Sequence, residues 1–468
     1  MDSITLRARF IIESSTRIHS PGYIQLRDGQ VIDVGSLRRH GLSQPAVDLG
    51  DCVLAPAFIN AHTHLEFSDL CQPLPPGASF ADWIDAVFQY RQRRVADRHP
   101  QSNARQGANP LQQGLRECWE AGTGVVVDIA SYPSELRYQW DQFPASPDHP
   151  LLLGGRRRLP PSANRHLLST MFPRVIALCE VLGLNQQRLE TTWQWAKGKL
   201  QEYDGWRPAT TSQQLSTGGR RPGDDSATRC GANCLWQTGL SPHAPYSIYW
   251  SEPWLTRLAQ LMSKRLVAMH VAESPAERQY LDDGGGPLAA LWRKLQFPPE
   301  VPSPTLGESL RWFLQADRCL VVHGNYLASA ELEVMHKHPG ASIVFCPRTH
   351  RHFQHDQYPL RQMLTGRLTV VLGTDSRATN PDLDIWQEAI ACAHQFPWLD
   401  PRWVVAGITS RAAKALGIQG SFGTLQRGAW ATIVYCESRP HWTAENLFEN
   451  LVADVQRWAP LTEFDESA

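Results

Sequence analysis

The sequence predicts an α/β fold: a (β/α)8 barrel of the TIM type, with a small β-sandwich module built from both termini. Three observations lead there. Eight short apolar runs recur along the central part of the chain, separated by longer stretches that include helical patterns, as parallel βα units require. Strand-forming runs with hairpin turns occupy the two ends instead. Four of the central runs finish at a histidine or an aspartate, and barrel enzymes carry their reactive groups at the C-terminal ends of the strands.

Length and composition are compatible with this reading. A chain of 468 residues can hold a barrel of about 250 residues with additions. Its 42% hydrophobic and 19% charged residues are those of an ordinary globular protein. A net charge of −1 gives no field that would favour nucleic acid or an anionic membrane, so the expected partner is a small molecule. The sequence has no run of 18 apolar residues, and Met1-Asp2-Ser3-Ile4-Thr5 does not open a basic-then-apolar leader, so a cytoplasmic location is expected. The 10 cysteines form no paired framework, and Cys52, Cys179, Cys319 and Cys346 sit inside apolar runs, as reduced thiols do. Cys230 and Cys234 are a close pair with no second pair to complete a zinc site.

Taken in order, residues 4–12, 23–26 and 31–34 read as strands separated by turns at Pro21-Gly22 and Asp28-Gly29. Near the other end, Gly423-Thr424-Leu425-Gln426-Arg427-Gly428 precedes the strand-like run 431–436. Residues 1–53 and 420–468 are therefore assigned to one module, and 54–419 to the barrel. The barrel strands are expected at 53–59, 122–129 (after a helix over 111–121), 174–180, a run ending near Leu240, 266–270, 319–323, 342–346 and 368–375. Residues 204–233 lack apolar periodicity and are rich in turn formers, which reads as a flexible insertion. The basic cluster Arg156-Arg157-Arg158 is a solvated loop or an anion contact.

Chemistry is suggested by position. The first barrel strand leads into His62 and His64, the fifth ends at His270, the sixth at His323 and the eighth at Asp375. Taken singly, a core histidine or a turn aspartate explains each of them. Jointly they put imidazoles and a carboxylate on one rim, which is a zinc-type donor set that leaves a position open to water.

The stretches Leu54-Ala55-Pro56-Ala57-Phe58-Ile59-Asn60-Ala61-His62-Thr63-His64, His270-Val271-Ala272-Glu273, Val322-His323-Gly324 and Leu372-Gly373-Thr374-Asp375-Ser376 resemble the amidohydrolase superfamily. More narrowly they resemble its branch of heterocycle deaminases and triazine chlorohydrolases, over nearly the whole chain. The resemblance implies one divalent metal ion, zinc with iron or manganese as alternatives, held by His62, His64, His270 and Asp375. It implies that His323 stays near the attacking water and that Glu273 shuttles a proton from the water to a ring nitrogen and then to the leaving amine. Glu273, His323 and Asp375 are thus the expected catalytic residues. The physics agrees, since zinc brings a bound water to a pKa near 7 and a nearby carboxylic acid can protonate a ring nitrogen.

Two-metal members of the superfamily carry a bridging lysine on the third or fourth strand. Neither 174–180 nor 235–246 contains a lysine, so a single metal is expected. Ser241-Pro242-His243-Ala244-Pro245-Tyr246-Ser247 also resembles the branch, which implies that His243 donates to the substrate. Glu180, Glu66 and Arg348 are looser substrate-binding candidates, and either glutamate has a structural reading as well. After Arg348 the branch often has Ser-Asn, whereas this chain has Thr349-His350. The expected function is a metal-dependent aminohydrolase that deaminates a nitrogen heterocycle or adenosine-type nucleoside, with release of ammonia. Hydrolysis of another ring substituent such as chloride, or of a formimino or cyclic amide bond, is the enzymatic alternative, and a non-catalytic ligand-binding barrel the other. The resemblance also admits a homodimer.

Overall fold

The computed structural model describes residues 3–37, 46–97, 109–136, 138–140, 173–204, 232–297 and 303–461. Arg156-Arg157-Arg158, Cys230 and all but the edges of the expected insertion at 204–233 lie outside these residues.

Eight parallel strands form the central sheet: Phe58–Thr63, Thr123–Ala130, Arg174–Val181, Leu235–Pro242, Leu266–Val271, Arg318–His323, Ala341–Phe345 and Thr369–Leu372. Each pairs with the next in chain order. The ring closes where the eighth strand meets the first, through a parallel bridge between Thr63 and Asp375. Gly373 permits that closure: a Cβ there would lie 2.9 Å from the Cβ of His62 and 2.9 Å from Cγ1 of Val344.

The period of two along these strands sorts their side chains. Ile176, Leu178, Leu266, Ala268, Leu320 and Val322 pack in a cluster inside the barrel. Val175, Ala177, Cys179, Val267, Met269 and Val321 belong to a second cluster that includes the helices outside. Glu180 and His270 continue the inward phase of their strands. Helix starts follow local chemistry, since a side chain that accepts an otherwise unpaired N–H stabilises the first turn. Asn109 accepts from Leu111 to start the helix Pro110–Glu120, and Asn185 accepts from Arg188 to start Gln186–Tyr203. Thr305 and Glu308 form a capping box on Leu306–Phe313.

A two-stranded ribbon pairs Gln139–Trp140 with Ala232–Asn233, and both termini contribute to two further sheets. One has four strands, in the order Gln30–Ser36, Gly22–Arg27, Ile4–Ala8 and Val47–Asp48. The other has five: Ala459–Pro460, Ile433–Glu437, Cys52–Pro56, Phe10–Ser14 and Arg17–His19. Leu6, Ile24 and Leu26 of the first pack with Ile11, Leu54 and Ile433 of the second, giving the expected small sandwich.

Two apolar runs expected as single strands are each divided between sheets. In 4–12 the break is at Arg9, whose guanidinium donates to the carbonyls of Arg439, Pro440 and Trp442. In 53–59 it is at Ala57. Its N–H donates to Thr432, just before the terminal-sheet strand Ile433–Glu437 (2.9 Å), whereas the next N–H, that of Phe58, donates to Gly122 beside the barrel (2.9 Å). Apolar spacing records that a strand is buried and not which neighbour it pairs with, so the change of partner is invisible to it.

Candidate active site

Four strand ends bring the expected donors together. His62 lies near the end of the first strand and His64 just past it. His270 lies on the fifth, His323 ends the sixth, and Asp375 follows the eighth. All five are buried. Nε2 of His64 stands 3.2 Å from Nε2 of His270. Oδ1 of Asp375 is 3.6 Å from Nε2 of His62 and 3.8 Å from Nε2 of His64. Donor atoms of His62, His64 and Asp375, and separately of His62, His270 and His323, lie within 4.8 Å of one another.

These residues fit a divalent cation. Bonds of about 2.0–2.2 Å to one ion put neighbouring donors a little over 3 Å apart, as several of these are. Neither ring nitrogen of His62 has a hydrogen-bond partner, nor has Nδ1 of His64, although all three are buried, and a shared cation would satisfy the donors that face it. Nδ1 of His270 donates to the carbonyl of His243 (2.8 Å), which fixes the tautomer and leaves the Nε2 lone pair facing the cluster. Burial, followed by the neighbouring imidazoles, pushes His64 and His270 well below the usual histidine range. Both shifts favour the neutral form in which an imidazole can bind a metal. Burial alone would raise the Asp375 carboxyl, but the imidazoles of His62, His323 and His64 hold it well below the usual carboxylate range.

The backbone at this rim is unusual. Ala272 (φ 52°), His323 (φ 67°) and Asp375 (φ 59°) all adopt the left-handed conformation without being glycine, at a cost of order 1–3 kcal/mol each. His323 is out of phase with the inward-facing Leu320 and Val322, so the turn is what carries its ring to the cluster.

Glu273 is buried on the same rim, with Oε1 3.5 Å from Nε2 of His323. Burial, then the charges of Asp375 and Glu277, raises its carboxyl well above the usual range. His243 lines the same pocket, its Nδ1 2.7 Å from the Ser247 hydroxyl, and burial lowers it to about 3. The pocket contains about 980 Å³ of empty space, its open mouth included, at the upper end of the range for small-molecule sites. Its outer wall is apolar, with Trp83, Phe88, Tyr246 and Trp292 among the lining residues.

The looser candidates separate. Glu180 is buried beneath the pocket, 4.0 Å from Nε2 of His243, and receives the Ser131 hydroxyl at 2.9 Å. Glu66 pairs with Arg91 at 2.5 Å and with Ser131 at 2.8 Å. Arg91, rather than Glu66, reaches the pocket lining. Arg348 is not brought to the pocket at all: it is held by Glu388 (2.6 Å) and Asp382 (2.8 Å). Thr349 donates to Oδ2 of Asp375 (3.3 Å), so this departure from the branch pattern lies behind the donor cluster. His350 is buried against Phe345 and Tyr358.

Residues without an expected role hold the donors in place. The Asn60 amide donates to the Thr374 hydroxyl (2.7 Å) and accepts from the Thr374 N–H (3.1 Å), joining the first strand to the turn after the eighth. Thr379 donates to Asp375 Oδ2 at 2.8 Å. Asp128 accepts from the Leu65 N–H and from the Tyr138 hydroxyl, both at 2.8 Å, and so fixes the turn after His64. Asn60 and Thr374 were visible inside the strand-end motifs, whereas nothing in the spacing of Asp128 or Thr379 announces a partner.

A closed parallel barrel with a cluster of buried histidines, a buried aspartate and a buried glutamate on its C-terminal rim is the arrangement of metal-dependent barrel hydrolases. The profile of the amidohydrolase family matches residues 224–460, and the chain belongs to that family. It is 25% identical over 430 residues to the aminodeoxyfutalosine deaminase of Deinococcus radiodurans, covering 87% of this chain and 84% of that one. Among solved structures, the aminofutalosine deaminase of Helicobacter pylori in complex with methylthio-coformycin superimposes with a TM-score of 0.69 at 19% identity, over 97% of each chain. An adenosine deaminase of Xanthomonas campestris with bound zinc superimposes with a TM-score of 0.61 at 18% identity, over 95% of this chain and 88% of that one.

Proposed function

We propose that this chain is an aminohydrolase that deaminates an adenosine-type nucleoside with an enlarged, largely apolar 5′ side. The observation that carries the reading is the Glu273 carboxyl, raised by burial and placed 3.5 Å from His323 on the rim that holds the donor cluster. His62, His64, His270 and Asp375 would hold one divalent cation. Zinc is the proposed ion, as in the Xanthomonas structure, with iron or manganese as alternatives. Neither Arg174–Val181 nor Leu235–Pro242 contains a lysine to bridge a second ion. The cation supplies Lewis acidity that lowers the pKa of water.

The chain's own residues do the rest. Glu273 takes a proton from the attacking water, delivers it to a ring nitrogen and then to the departing amine, a task suited to a carboxyl whose pKa lies nearer the working pH. His323 holds the water by its ring nitrogen, and His243 contacts the heterocycle. The aromatic outer wall excludes water and receives the apolar part of the substrate. The Deinococcus and Helicobacter relatives bear names of this activity, which supports the choice of nucleoside. Among the described residues no helix is long and apolar enough to cross a membrane. Of the described cysteines Cys71 alone is exposed and the others are buried, and we assign the chain to the cytoplasm.

The test is ammonia release by the purified protein, with its metal content measured, across adenosine, 5′-substituted adenosines and free aminated bases. One metal ion per chain and ammonia from the 5′-substituted nucleosides is the expected result. Ammonia from none of them ends the deaminase reading.

A further inference from the structure

We propose that Glu277 and Asn325 are positioning residues that fix the proton-shuttling Glu273 by holding both polar atoms of its backbone. This rests on the role given to Glu273 above. The fifth barrel strand ends at Val271, and the next two N–H groups, of Ala272 and Glu273, have left the strand ladder. Buried N–H groups must be paired, and here one side chain serves both. Oε1 of Glu277 accepts from Ala272 at 3.0 Å and Oε2 accepts from Glu273 at 2.7 Å. From the sixth strand's exit, Nδ2 of Asn325 donates to the Glu273 carbonyl at 2.9 Å. The peptide units on either side of the Glu273 Cα are therefore fastened by groups from two different elements.

The arrangement extends ordinary helix capping. Ser274 caps the helix Pro275–Asp283 by accepting the Glu277 N–H. A glutamate at that third helical position usually reaches back to the cap residue itself. Here it reaches one and two residues further, across the left-handed Ala272, and so holds a conformation that alanine seldom adopts. Glu277 is fully buried. Both of its side-chain oxygens accept from the segment carrying Glu273, which is more than closing a helix end requires. Its negative charge also adds to the factors that raise Glu273.

The test compares wild type with Glu277→Gln, Glu277→Ala, Asn325→Ala and the Glu277→Ala/Asn325→Ala double variant. Four quantities are read: ammonia release, bound metal per chain, thermal midpoint, and amide hydrogen exchange of the 270–275 peptide. The expected result is a fall in kcat on the order of 10- to 100-fold, as small misplacements produce, with KM changed less than about threefold. Metal content should stay at the wild-type level and exchange in 270–275 should quicken. The two alanine losses should combine to less than their product, because both act on one residue. Glu277→Gln keeps one acceptor oxygen and should fall between wild type and Glu277→Ala. If Glu277→Ala does not accumulate as folded protein, Glu277→Gln and Asn325→Ala carry the comparison. Wild-type kcat in folded Glu277→Gln and Asn325→Ala overturns the proposal, as does a loss that only follows lost metal. A wild-type protein that releases no ammonia would instead end the deaminase reading, while the exchange measurement would still report on the clamp.

Discussion

The N–H of Asp375 donates to the carbonyl of His62 across 3.1 Å. The two residues whose side chains converge on one cluster are thus also joined through their backbones, at the seam where the barrel closes. Closure and donor geometry are consequently one event.

Gly373 tests that coupling. Replacing it with alanine forces a Cβ into His62 and Val344, and overpacking of this kind costs typically 1–3 kcal/mol. The thermal midpoint of Gly373→Ala should fall, and bound metal per chain should fall with it. Calorimetry together with metal analysis reads both; a destabilised variant with full metal content would uncouple the seam from the site.

Glu273→Gln should reduce ammonia release by about 10²–10⁴-fold, the usual contribution of a positioned acid or base. His62, His64, His270 and Asp375 are untouched, so bound metal should not change. His270→Ala should lose metal and activity together, whereas a Glu273→Gln protein that loses its metal would identify Glu273 as a ligand.

Glu180 sets a pH dependence of stability. The Ser131 hydroxyl lies 2.8 Å from Glu66 and 2.9 Å from Glu180. Burial raises the pKa at which the Glu180 carboxyl gives up its proton from 4.5 to about 7, against the opposing pull of Arg91 and Ser131. The unfolded chain releases this proton near 4.5 and the folded one near 7, so the contribution of Glu180 to stability declines as pH rises between those values. Glu180→Gln should therefore lose less stability from pH 4.5 to 7 than wild type. Denaturant titrations at several pH values measure the two slopes, and parallel slopes would mean that Glu180 is ionised in the fold.

Arg348 should matter to folding and not to substrate. Removing one partner of a buried pair costs about 3–5 kcal/mol, and Glu388 is fully buried beneath it. Arg348→Ala should be strongly destabilised, and the protein that remains folded should keep its KM. A raised KM with unchanged stability would return Arg348 to the substrate.

The barrel and its donor rim were legible because two strong signals coincide: apolar runs of strand length, and a polar residue at the same end of several of them. His62, His64, His270, His323 and Asp375 announce themselves in that way, whereas Glu273 was picked out by the family resemblance of His270-Val271-Ala272-Glu273. The divided runs at Arg9 and Ala57 did not, since burial looks alike in either sheet. Arg348 was misleading because a cation after a strand looks the same whether it faces a ligand or a pair of carboxylates. Glu277 and Asn325 escaped notice for a different reason: their partners are main-chain atoms, which leave no trace in residue type.

The seam between Asn60 and Thr374 joins positions 314 residues apart, and this bears on how the protein is made. Synthesis delivers the histidine pair early and the strand that completes the ring late. Until then the growing chain has an open sheet whose first and latest strands each expose an unpaired edge, which invites association with other chains. Nascent chains halted before Gly373 should therefore depend on chaperones, and their release should coincide with assembly of the catalytic rim.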